Sequence, residues 1–170
     1  MPSPLNGARI ILGVTGSIAS YKALDLASKL VQAGAVVDTI LSHGATQFVT
    51  PLAFRSLTHR PVVTDTFDPG SELAVEHVQL ASRAAAVVVA PATAHFLAKM
   101  SLGLADDPLT TTLLATTAPV LVCPAMDNFK VKQAKNKKNK PSSQSQNNNP
   151  DSNHIFTLAA LRIKGKVSAV

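Results

Sequence analysis

At 170 residues, with 46% hydrophobic side chains and a mean hydropathy of +0.19, the chain can bury one real core and is too short for two full domains. Its net charge of +6 sits in the tail, since residues 1–129 carry 7 Lys and Arg against 9 Asp and Glu while residues 130–170 carry 9 against 1; with 4% aromatic residues this argues against a nucleic-acid-binding domain. A single cysteine, Cys123, excludes an internal disulfide, no apolar run is long enough to span a bilayer, and MPSPLNGARI lacks the basic-then-apolar order of a secretory signal, so the expectation is a cytoplasmic protein without membrane contact.

The first element is a buried strand from Arg9 to Val14, followed by the small-residue turn Thr15-Gly16-Ser17 and a helix from about Ala19. In that helix Leu24, Ala27, Leu30 and Val31 share one stripe, and Gly34 supplies the stop. A second buried strand, Ala35 to Leu41, ends in Ser42-His43-Gly44. Ala45 to Leu57 reads as one or two short helices, with Pro51 opening a new turn, before a weaker strand at Pro61 to Thr64 and a loop from Phe67 to Glu72. Periodicity leaves Val75 to Arg83 open between a short helix and an extended lead-in. Ala85 to Ala90, bounded by Pro91, has the continuous apolar character of a central parallel strand buried on both faces.

Helices then follow at His95 to Leu102, closed by Gly103, and at Leu109 to Thr116, before a last strand from Pro119 to Cys123 that ends in Pro124-Ala125-Met126-Asp127. Repeated strand–helix units predict an α/β fold, a parallel sheet flanked by helices, whose ligands bind beyond the carboxyl ends of the strands. The predicted organisation is a domain over residues 1–129, a disordered basic Lys/Asn/Ser/Gln linker over 130–154, and an unassigned segment over 155–170.

Four polar clusters fall at predicted strand ends. The turn after the first strand, with Gly13 and Gly16, is not the G-x-G-x-x-G dinucleotide fingerprint, and the second strand ends in Ser42 with Asp38 inside it, so no acid stands ready for an adenosine ribose. A nucleotide with one terminal phosphate, such as FMN, suits this pattern better than NAD; the plain alternative is that Gly16 and Ser17 only make a helix N-cap. His77, in Glu76-His77-Val78-Gln79-Leu80, has a side chain suited to proton handling near neutrality. Thr93 and His95 open a helix whose amides could meet a phosphate or a ring carbonyl, with a helix cap and a solvent-facing imidazole as the alternative. Asp127 brings a carboxylate to the same edge.

Together, GVTGSIASYK, the HVQL histidine, APATAHFLAKMSLGLADDPLTTTLLAT and CPAMD closely resemble the homo-oligomeric flavin-containing cysteine decarboxylases, over residues 8 to about 128. Within that family the similarity points to the phosphopantothenoylcysteine decarboxylases, found as the amino-terminal half of bifunctional proteins of coenzyme A synthesis. The resemblance implies a Rossmann-like flavoprotein that binds FMN and assembles as trimers or rings of trimers. By motif, Gly16, Ser17, Ile18, Ser42, Thr93, Ala94, His95, Phe96, Ala125 and Met126 would contact FMN, His77 would be catalytic, and Asp127 would bind substrate. No residue is assigned to a metal.

The implied reaction converts 4′-phosphopantothenoylcysteine to 4′-phosphopantetheine, because oxidation of the cysteinyl thiol creates an electron sink that lets CO2 leave. Three departures from the family pattern stand out. Asp127 stands where many members have an asparagine, and His95 replaces an acidic or amide residue. No Gly-rich flap with its proton-donating cysteine follows Asn128, which implies a reaction that stalls before the final reduction. A non-catalytic or regulatory FMN-binding protein of the same fold is the alternative reading, and a flavin prenyltransferase-like protein a weaker one.

Overall fold

The computed structural model describes residues 3–65 and 76–125, with side chains from Gln79 onward in the second stretch. The parts of the expected linker, tail, Phe67–Glu72 loop and PAMD motif that fall elsewhere, including Met126 and Asp127, lie outside the described residues.

Five strands, β1 (Arg9–Val14), β2 (Val36–Leu41), β3 (Val62–Val63), β4 (Ala86–Ala92) and β5 (Val120–Pro124), form one sheet in the order β3-β2-β1-β4-β5. All four pairings are parallel. Parallel neighbours need crossovers, and these are α1 (Ser20–Gln32), α2 (Pro51–Thr58), α3 (Glu76–Arg83) and the consecutive α4 (Ala94–Leu102) and α5 (Pro108–Ala115). This is the doubly wound arrangement expected from the alternating pattern.

Strand alternation splits the core into two layers. Ile10, Leu12 and Val14 of β1 pack with Val37 and Leu41 of β2 under α1 and α2, around Ala23, Ala27 and the fully buried Phe54. Ile11, Ile40, Val63, Val87, Val89 and Val122 face the opposite way, under Phe96 and Leu109. Each fully buried Val, Leu, Ile or Phe among them contributes about 1.5–3 kcal/mol, the main force holding helices to sheet. Leu109 sits directly on β1, since a Cβ at Gly13 would lie 2.5 Å from Leu109 Cδ1. No helix among the described residues is long and apolar enough to cross a membrane.

Several boundaries differ from expectation for local reasons. Pro91 does not end β4: the strand runs on to Ala92, which pairs with Pro124, because the β4–β5 register shifts between Val89 and Ala92 and no regular ladder donor is required from the proline. β4 is also not buried equally on both faces, for Val88 and Ala90 are half-buried while Val87 and Val89 are enclosed. The ambiguous stretch before β4 is helical, as α3. Ala45–Gln47 forms a single 3-10 turn ahead of α2, which Thr50 caps and Pro51 opens. The last helix starts at Pro108 rather than Leu109, because Asp107 caps it and forms a reciprocal capping box with Thr110.

Candidate functional site

Parallel strands all point the same way, so every loop leaving a strand's carboxyl end lies on one edge of the sheet. The strand order reverses between β1 and β4, whose following connections diverge to opposite faces and leave a crevice there. Most sequence-predicted contact residues that are described border this crevice or the adjacent end of β2.

The turn after β1 is shaped by hydroxyls. Ser20 Oγ, fully buried, donates to Ser17 O at 2.6 Å and lies 3.0 Å from Thr15 O. Ser17 Oγ accepts from Ala19 N at 3.2 Å. Ser17 is therefore not the helix cap that the plainer reading expected; the cap position is Ala19, with no side-chain cap bond. The amides of Gly16 and Ile18 have no acceptor among the described residues. Ile18 itself is 77% exposed.

Ser42 ties the next loop to the same edge, its amide donating to Val14 O at 3.0 Å and its Oγ accepting from Ala45 N at 3.3 Å. Gly16 and Gly44 bring these two loops into direct backbone contact. Across the crevice, Thr93 caps α4: its Oγ1 accepts from Phe96 N at 3.3 Å and its carbonyl from Leu97 N at 3.0 Å. Ala94 and His95 are exposed, and as the first two helical residues they have no intrahelical acceptor for their amides. Phe96 is different, for its ring is 3% exposed inside the core and its amide is already capped. The Ala125 amide is likewise used, donating to Ala92 O at 2.9 Å.

This donor set fits a flavin phosphate. Ser17, Ser42 and Thr93 each accept an internal bond and keep an O–H to donate, the turn after β1 leaves the Gly16 and Ile18 amides without an acceptor among the described residues, and the cap residue of α1 makes no side-chain cap bond. Asp38, the one carboxylate near the second strand's middle, is instead committed to an ion pair with Arg60. His77 falls in the first turn of α3, and its side chain lies outside the described part.

Two further features were missed from sequence. Thr15, 2% exposed, bridges β1 and β4 through its hydroxyl, which donates to Pro91 O at 2.7 Å and accepts from Thr93 N at 2.9 Å. The signal available was a hydroxyl directly after the first strand. Lys99 of α4 joins Asp106 at 2.7 Å and Asp107 at 3.1 Å, fixing α4 against the start of α5. The Lys99 hydrogen bond holds the Asp106 carboxyl below its ordinary range, with a smaller contribution from the charge of His95, and the bond to Asp106 in turn raises Lys99.

A cavity of about 230 Å³ lies elsewhere, lined by Arg9, Asp38, Arg60 and Arg83 among others. Arg9 opens β1, Arg60 precedes β3, Asp38 lies in the middle of β2 and Arg83 ends α3, so the cavity is away from the carboxyl-edge crevice.

Comparison with known proteins gives a consistent picture. The profile of the family described as Flavoprotein matches residues 1–148. Over 123 residues, the chain is 50% identical to the coenzyme A biosynthesis bifunctional protein CoaBC of Bacillus subtilis and 44% identical to that of Vibrio cholerae. Those alignments cover 72% of this chain but only 30% and 31% of the relatives, so the chain spans under a third of their length. Among solved structures, the FMN-dependent cysteine decarboxylase TvaF from thioviridamide biosynthesis superimposes with a TM-score of 0.70 at 30% identity, covering 77% of this chain and 81% of that one. A PPC decarboxylase mutant, C175S, complexed with pantothenoylaminoethenethiol, gives 0.65 at 25% identity over 78% and 75% of the two chains.

Proposed function

The chain belongs to the flavoprotein family, and from that premise we propose that it binds FMN at the crevice between β1 and β4 and decarboxylates 4′-phosphopantothenoylcysteine to 4′-phosphopantetheine. The observation that carries the reading is the convergence of free amides and hydroxyls from the β1 turn, the β2 end and the α4 cap on one edge at the reversal of strand order. It is supported by the relatives, whose names join coenzyme A biosynthesis, cysteine decarboxylation and FMN.

In this reading Gly16, Ser17 and Ile18 hold the phosphate, with Ser42 beside them. Thr93, Ala94 and His95 border the ring by backbone and hydroxyl groups, Phe96 anchors their turn from the core, Ala125 bounds the edge beyond β5, and Met126 would also contact the flavin. Bound FMN supplies the thiol oxidation that makes loss of CO2 feasible. His77 moves the proton that this oxidation and decarboxylation require, a task suited to an imidazole near neutral pH. Asp127 contacts the substrate. Exposed Ile18, Tyr21, Phe48 and Leu52 follow the β1 and β2 loops, an apolar rim that a further subunit would cover in a trimer or a ring of trimers. The protein works in the cytoplasm, where this substrate would be made.

The test is anaerobic incubation of the FMN-loaded protein with 4′-phosphopantothenoylcysteine, following CO2, flavin absorbance and thiol products together. CO2 with 4′-phosphopantetheine establishes the decarboxylase. CO2 with bleached flavin and accumulating enethiol places the block at the last reduction. FMN binding without CO2 release leaves a non-catalytic flavin-binding protein, and failure to bind FMN removes the reading.

A further inference from the structure

The backbone ladder between β1 and β4 runs from Ile10↔Ala86 to Gly13↔Val89 and stops there. Past that point no residue of β1 is paired with β4 in the ladder, while β4 shifts register against β5 on its other side. Thr15 takes over. Its amide donates to Pro91 O at 3.2 Å, its Oγ1 donates to the same carbonyl at 2.7 Å, and Oγ1 accepts from Thr93 N at 2.9 Å. The group is enclosed, and its one proton is committed to Pro91, so it is not an open ligand group.

The residue held through its amide, Thr93, is the cap of α4. A cap residue's backbone sets where a helix begins and where its first free amides point. We propose that Thr15 is a positioning residue of the flavin site: its hydroxyl locks the α4 cap to the end of β1, and so holds the amides of Ala94 and His95 in register with those of Gly16 and Ile18. The inference rests on the flavin reading and adds to it a residue that acts through another.

Thr15→Val keeps the branched shape and removes the hydroxyl; Thr15→Ser keeps the hydroxyl and removes the methyl. FMN affinity is measured by fluorescence quenching on the full chain, alongside the bound flavin's absorption bands and hydrogen exchange of the Thr93 amide in the flavin-free protein. The expected result is at least tenfold weaker FMN binding in T15V, with shifted flavin bands and faster Thr93 exchange, while T15S stays within about twofold of the parent. Parent-like affinity and bands in T15V, or equal losses in T15V and T15S, overturn the proposal. If T15V does not fold, Thr15→Ala against T15S isolates the hydroxyl at smaller volume: tenfold tighter binding by T15S supports the lock, and equal binding overturns it. If the parent chain binds no FMN, the flavin reading fails by itself; the Thr93 amide then decides the lock, faster exchange in T15V supporting it and unchanged exchange overturning it.

Discussion

Gly16 and Gly44 meet backbone to backbone, and the contact is one-sided. A Cβ on Gly16 would lie 2.7 Å from the Gly44 carbonyl carbon, 2.8 Å from its oxygen and 2.9 Å from its Cα, whereas a Cβ on Gly44 would come no closer than 3.4 Å to Gly16 Cα. The loops after β1 and β2 thus pack without side chains between them, and only the first glycine is compelled by the space.

Gly16→Ala must push the two loops apart, because the obstacle is backbone. Overpacking of this kind costs about 1–3 kcal/mol, and FMN binding should weaken more than tenfold because the phosphate turn moves. Gly44→Ala should stay within about 0.5 kcal/mol of the parent. Urea unfolding and an FMN titration of both variants check the asymmetry; equal behaviour would show that the loops yield freely.

The Lys99 pairings give a pH signature. Asp106 has a lowered pKa, so its contribution is present above the ordinary value of 3.8 and is lost as pH falls through the lower folded value. Lys99 is raised, so its contribution is complete below 10.5 and is lost as pH rises through the higher folded value. The melting-temperature difference between the parent and Lys99→Met should therefore be a plateau through neutral pH that shrinks in strong acid and in strong base. Because Asp106 is exposed, high salt should also reduce it.

His59 ends α2 in the left-handed region at φ 54°, and its amide closes the helix on Arg55 O at 2.9 Å. Glycine adopts this backbone without a Cβ penalty. His59→Gly should stabilise the protein by about 0.5–1 kcal/mol, with Asn in between, as read by the urea midpoint. A loss of stability would mean that the imidazole makes an offsetting contact.

Cys123 is half-buried near the end of β5, and burial raises its thiol pKa above the ordinary 9.0. Less thiolate at a given pH means slower alkylation. Iodoacetamide at pH 8 should label it more slowly than free cysteine, with the rate still climbing above pH 9. Labelling faster than free cysteine would contradict the half-buried setting.

Much of the scaffold was legible because it is written locally. The apolar run RIILGV, the stripe on α1 and the stop at Gly34 announce the first strand–helix unit within 26 residues. Pro91 misled because a proline reads as a strand end, whereas the register shift beside it relieves β4 of a ladder donor. The PATAHF motif does not distinguish Phe96 from its neighbours, and it is helical periodicity in the folded chain that turns its ring into the core while Ala94 and His95 stay outside. Asp38 was read correctly as lying inside its strand, but its partner Arg60, 22 residues on, was not visible.

The sequence alone determined the succession of strands and helices apart from α3, the small-residue turns at strand ends, and the motifs that mark a flavoprotein. Those are properties of short windows, where hydrophobic period, caps and turn residues act on neighbours. Only the tertiary structure decided that β4 lies beside β1, that Thr15 bonds to Pro91 and Thr93 more than 70 residues away, and that Gly16 rests on Gly44. Parallel pairing is made through crossovers, so its partners and register are set by how helices and sheet bury their apolar faces together, and no local window carries that information.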